Sequence, residues 1–141
     1  MTGQPLVTTA SPAVGDDILG EFGAGPRARN SAYWIDAYGA SMGCDNRGPE
    51  DCIVTFTGFA YIKSTDVEVT QVSASAAIPP CPEMRDCPLQ AVLLGDRFTG
   101  LSGLRIVARV GDKPVIWFMD DVQLAWSNNT CAAGLERARS R

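Results

Sequence analysis

The segment Val115 to Trp126, VIWFMDDVQLAW, constrains the fold of this chain more than any other stretch. Counting by twos places Ile116, Phe118, Val122, Leu124 and Trp126 on one face of an extended strand, and such a row predicts a face turned toward a core. Asp120 falls in the middle of that row, whereas Asp121 falls on the opposite face. A carboxylate on a buried face is costly unless it is paired, neutralised, hydrogen-bonded or bound to a cation. Asp120 is therefore expected either to accept backbone N–H groups at a sheet edge or to ligate a metal ion.

The rest of the chain supports a β architecture. Fourteen glycines and nine prolines punctuate 141 residues, and the segments between them alternate with period two. This length suits one domain with a modest core. The expected fold class is all-β, an antiparallel β-sandwich of jelly-roll type with little or no helix. Residues 1–29, rich in Thr, Ser, Pro and Gly, read as a flexible leader, 30–131 as the sandwich domain and 132–141 as a flexible basic tail.

Within the domain, Ala32–Met42 reads as the first strand, and Cys52–Ile62 as a two-sided strand placed centrally in a sheet. In Asp66–Ala77 the valines change parity between Val69 and Val72, which predicts a bulge or bend near Thr70. Ile78–Pro88 holds four prolines and two cysteines and reads as an irregular loop, Leu89–Leu94 as a short strand, and Leu104–Val110 as a half-buried one. Local loop closure favours disulfides Cys44–Cys52 and Cys81–Cys87. Cys131 is left as a free thiol, as a link to another chain, or as a substitute for one of those four.

Charge and composition exclude several functions. The net charge is −4, and Glu136–Arg141 carries +2 (three Arg against one Glu), which leaves −6 for the body. The basic residues are scattered and form no stripe with aromatics between them, so no nucleic-acid partner is expected. No run approaches the roughly 18 apolar residues of a membrane helix, so no membrane partner is expected either. The chain contains no histidine, which removes the usual serine and cysteine triads and histidine metal sites. Short-range cysteine pairs suit an oxidising compartment, and Asn128-Asn129-Thr130 is a glycosylation sequon on Asn128. A secreted protein is expected, although Met1–Phe22 has neither the basic start nor the apolar core of a signal peptide, and an intracellular protein with reduced thiols is the alternative.

The ending IWFMDDVQL, after an apolar strand and a Gly-Asp turn, resembles the closing strand of galactose-binding-like jelly rolls, the sandwich shared by many carbohydrate-binding modules. GASMGCDNRGPEDCIVTFTGF and WSNNTCAAGL resemble segments of secreted fungal proteins of uncharacterised function. The jelly-roll resemblance implies a structural calcium at the first Asp of the pair, Asp120, the residue that parity also singles out. It also implies further N-terminal strands, which look shortened here. Asp16, Asp17 and Glu21 are the acidic candidates upstream of Asp36, and a sheet edge is left for the leader or for a second copy of the chain, a homodimer, to cover.

Among the aromatic residues, Trp117 and Tyr33 are the candidate ligand platforms, because parity sets each opposite a more apolar row and a flat ring stacks on a pyranose face. The functional expectation is a non-catalytic extracellular ligand-binding or surface protein, with carbohydrate as the ligand class that the resemblance implies. The alternative is a small sandwich cyclase or isomerase that folds an apolar intermediate in a pocket.

Overall fold

A computed structural model of the protein describes residues 19–139, and within them the chain folds as two antiparallel sheets packed face to face. The strands are β1 (Leu19–Gly23), β2 (Ile35–Cys44), β3 (Cys52–Ile62), β4 (Val67–Ile78), β5 (Gln90–Leu93), β6 (Gly103–Val110), β7 (Lys113–Pro114) and β8 (Trp117–Trp126), followed by a helix, α1 (Cys131–Arg139). The larger sheet runs β1-β6-β3-β4, with β7 also on β6, and the smaller runs β5-β2-β8. The all-β sandwich read from the strand pattern is thus the observed architecture, and β3 sits centrally, between β6 and β4.

The core lies between the sheets. Val54 and Phe56 of β3 and Leu104, Ile106 and Ala108 of β6 meet Ala40 and Met42 of β2, Val92 of β5 and Trp117 and Met119 of β8. In β3 the opposite parity is half-buried or exposed, so this strand is covered on one face and not on two. Two disulfides, Cys44–Cys52 and Cys81–Cys87, pair the four cysteines as their spacing predicts, and Cys131 is free and exposed. Buried Asn46 braces the loop between the first pair. Its side chain donates to the Glu50 carbonyl (2.7 Å) and accepts from the Gly48 N–H (3.0 Å), while its own carbonyl accepts from the Cys81 N–H (2.8 Å).

The expected bend in the fourth strand is a β-bulge. Gly58 pairs with Val72 and Phe59 with Thr70, so Gln71 has no partner and the valines change faces across it.

The closing strand corrects the expectation built on it. Ser41 pairs with Asp120 and Gly39 with Gln123, so Ala40 alone faces both Asp121 and Val122. Trp117 and Met119 point inward before this bulge and Val122 does so after it, while Ile116 (36% exposed) and Phe118 (37%) lie on the outer face. Asp120 shares their face and is half-buried. One added residue shifts the side-chain phase by half a period, so a row counted straight through the Asp pair mixes two faces. Asp121 takes up the left-handed conformation (φ 50°), which a short polar side chain tolerates, and its N–H donates to Asp120 Oδ1 at 2.8 Å. Strand β2 carries a compensating bulge at Tyr38, which restores the pairing register and moves its own inward row from Ala37 to Ala40 and Met42.

Both chain ends of the domain also differ from expectation. Asp16 and Asp17 lie outside the described residues, but residues 19–29 are not a leader: β1 pairs along β6 from Leu19↔Val107 to Gly23↔Gly103 and covers an edge of that strand. The tail expected at 132–141 is a docked helix as far as Arg139. Thr130 Oγ1 caps it by accepting from the Ala133 N–H (3.1 Å), and Asn128 Oδ1 accepts from the Thr130 N–H (3.1 Å). The Arg137 guanidinium lies 4.6 Å from the Trp126 ring centroid and donates to the carbonyls of Ala32 (2.6 Å) and Asn128 (3.0 Å). Of the helix side chains only Ala133 is buried, so polar docking rather than an apolar stripe orders it, and hydrophobic periodicity carried no sign of it.

Candidate functional site

The outer face of the larger sheet carries a cleft of about 430 Å³. It lies where β1, β6, β3 and β4 come into register: Gly23 opposes Gly103, Gly103 opposes Phe59, and Phe59 opposes Thr70. Glycine forms the floor for a steric reason. A Cβ on Gly103 would sit 3.3 Å from Glu68 Oε2 and 3.9 Å from Phe59 Cδ2, filling the space between the cleft walls.

The walls are chemically mixed. Phe59 offers a half-buried ring, and Arg105 lies with its guanidinium carbon 5.0 Å from that ring centroid while its Nε donates to Glu21 Oε1 at 2.9 Å. The Arg105–Glu21 pair is well exposed and screened by solvent, so it orients both groups more than it stabilises the fold. Glu68 is held differently. Ser102, 1% exposed, donates its hydroxyl proton to Glu68 Oε2 at 2.7 Å, while its N–H donates to the Phe59 carbonyl at 2.9 Å. A buried donor thus fixes one carboxylate oxygen of a residue that lines the cleft. The arrangement presents an apolar ring, two carboxylates and a guanidinium around a shallow glycine floor, a set suited to a ligand that has both C–H faces and hydroxyl groups.

At the neighbouring turn between β3 and β4, the Tyr61 hydroxyl donates to Asp66 Oδ1 at 2.6 Å and Arg29 forms an ion pair with the same carboxylate. The Tyr61 hydrogen bond, reinforced by Arg29, holds the Asp66 carboxyl below its usual range, and the Asp66 carboxylate raises the Tyr61 phenol above its own. This clasp ties the segment after β1 to the strand pair that carries Phe59 and Glu68.

The residues singled out from sequence are not brought together. Trp117 is fully buried against Gly20, and its indole Nε1 has no hydrogen-bond acceptor among the described residues, so it is a core residue and not the surface platform expected. The bulge that begins at Asp121, four residues later, accounts for this, because parity counted across it turned Trp117 the wrong way. Tyr33 is half-buried, edge-on to Trp126 (centroids 6.5 Å apart, 81°), with Arg27 over its face and its hydroxyl donating to the Glu136 carbonyl. Its ring braces α1 and also borders a smaller cleft with Arg27, Leu124 and Trp126. Asn128 lies half-buried at the entrance to α1.

Among the described residues, the donor set around Asp120 does not fit the calcium that the jelly-roll resemblance implies. Calcium takes six to eight oxygens, yet among the described residues no group of three or more Asp, Glu, Cys or His is close enough to hold a metal ion. One Asp120 oxygen accepts from its neighbour's N–H, and Glu21 pairs with Arg105 on the other sheet. The cleft residues were missed by reading aromatics one at a time. The available signal was the row Ile53, Thr55, Thr57, Phe59 on the outward parity of β3, matched by Arg105, Val107 and Arg109 on β6.

No helix among the described residues is long and apolar enough to cross a membrane. No curated protein and no solved structure matches the chain. Residues 3–137 match the family model of a domain of unknown function, DUF7371, and with nearly its whole length covered the chain belongs to that family.

Proposed function

We propose that this is a non-catalytic, extracellular binding protein whose ligand is a saccharide, held in the cleft of Glu21, Phe59, Glu68 and Arg105. The observation that carries the reading is the placement of an accessible aromatic ring beside a carboxylate fixed by a buried hydroxyl donor, over a floor kept open by Gly103. A pyranose presents an apolar C–H face to such a ring and hydroxyl donors to such carboxylates. Recognition of this kind needs few polar groups provided they are held in place. The two local disulfides support an oxidising, extracellular setting, and the five-stranded and three-stranded sheets support the jelly-roll resemblance. The space between the sheets is filled by Trp117, Phe56, Phe98, Met42 and Leu101, which favours surface recognition over a cyclase or isomerase acting on an apolar intermediate inside the sandwich.

Glycan-array screening followed by calorimetry tests the proposal. Binding to at least one glycan is expected, and Phe59→Ala and Glu68→Gln should each weaken it by at least about tenfold, equivalent to about 1.4 kcal/mol. Absence of binding to every glycan, or binding that neither substitution alters, refutes it.

A further inference from the structure

The cleft does not stand alone on its sheet face. A second open depression of about 420 Å³ lies on the outer side of the larger sheet, lined by Ile53, Thr55, Val107, Arg109 and Gly111. Both are lined in part by the same two strands, β3 and β6. The register Phe59↔Gly103, Thr57↔Arg105, Thr55↔Val107, Ile53↔Arg109 places every one of these residues on the outward parity of β3 and β6. All of the named side chains are half-buried or exposed. Thr57 and Arg105 join the two depressions, and Arg105 belongs to the walls of the first.

From Phe59 to Ile53 the row runs six residue steps, about 20 Å at the rise of an antiparallel strand. That is several pyranose units long, where the first cleft alone holds one or two. The row is mixed in kind along its length: ring, hydroxyl, hydroxyl and aliphatic on β3, against glycine, guanidinium, aliphatic and guanidinium on β6. An extended ligand laid along the strands meets the Phe59 ring at one end, then the Thr57 hydroxyl and Arg105 guanidinium, then an aliphatic beside a polar side chain at Thr55–Val107 and again at Ile53–Arg109, whereas a compact ligand uses one end only.

We propose that the two depressions are subsites of one trough along β3 and β6, and that the ligand is the interior of a linear saccharide chain and not a single terminal sugar. This rests on the saccharide reading above, and it adds chain length and direction to it.

The test uses the full chain and ladders of β-1,4-glucose, β-1,4-N-acetylglucosamine and β-1,3-glucose oligosaccharides, from disaccharide to octasaccharide, titrated calorimetrically. For the ladder that binds, affinity should rise by at least about tenfold between disaccharide and octasaccharide. Ile53→Ala and Val107→Ala, both in the distal depression, should remove most of that rise and leave disaccharide affinity unchanged, which also shows that each variant is folded. Phe59→Ala should weaken every member of the ladder. Equal affinity along the ladder, or a rise that survives both distal substitutions, overturns the trough and leaves a one-subsite saccharide protein. If no ladder and no glycan on an array binds, the saccharide reading itself fails and the trough with it.

Discussion

Gly20 on β1 lies against Trp117, and replacing it with alanine tests the packing on which the sandwich closes. A methyl carbon there would sit 2.1 Å from Trp117 Cζ2 and 2.4 Å from Cη2. Trp117 is fully buried among core side chains and cannot swing aside, so relief must come from lifting β1 off β6 or tilting the indole. If either movement returns about a third of a buried tryptophan's roughly 200 Å² to water, the loss is about 1.7 kcal/mol at about 25 cal/mol per Å². Overpacking of a filled core costs a comparable 1 to 3 kcal/mol, roughly. Alanine also restricts the unfolded chain, which restores about 0.5 to 1 kcal/mol. The expected net destabilisation is about 1 to 2 kcal/mol, or roughly 4 to 8 °C in Tm for a domain of this size. Urea unfolding followed by far-ultraviolet circular dichroism measures it. Trp117→Phe removes the clashing ring atoms together with the N–H, which has no acceptor among the described residues, so Gly20→Ala should cost less in that background, with a coupling of about 1 kcal/mol. A Gly20→Ala protein within about 0.3 kcal/mol of wild type, or strict additivity of the two changes, refutes the assignment.

Three further outcomes follow from the geometry. Asp121→Gly should be neutral or mildly stabilising and Asp121→Ala should cost about 1 kcal/mol, because position 121 is left-handed; Asp120→Ala, which removes one hydrogen bond from a half-buried carboxylate, should cost about 1 kcal/mol or less, all read from thermal melts. Because Asp66 is held below its usual range when folded, its contribution is present above about pH 4 and is lost as pH falls through the depressed value; the Tyr61 and Arg29 resonances should report that loss in an NMR titration, and Asp66→Asn should abolish it. Arg137→Ala removes two hydrogen bonds to carbonyls and the contact with Trp126, so amide exchange in α1 should rise and stability should fall by about 1 to 2 kcal/mol.

Strand existence was legible in the chain because a half-buried strand must alternate. Val54 and Phe56 against Thr55 and Thr57, and Leu104, Ile106 and Ala108 against Arg105 and Arg109, declare their faces without help from the rest of the fold. The parity change between Val69 and Val72 likewise announced the Gln71 bulge. The disulfides were legible because six- and eight-residue separations leave each cysteine with a partner close in sequence. The Asp120-Asp121 bulge was not legible, since VIWFMDDVQLAW is apolar on both parities and only pairing with β2 decides which residues turn inward. The same held for the cleft. Phe59, Glu68, Ser102 and Arg105 come from three strands and the segment leading into one of them, and Glu21 from a stretch whose composition read as a leader. The sequence by itself determined the alternating strands and the local covalent links, which depend on neighbours along the chain. Tertiary structure alone decided which face of the closing strand is buried, how the last helix docks and where a ligand surface lies, because those depend on contacts between segments far apart in sequence.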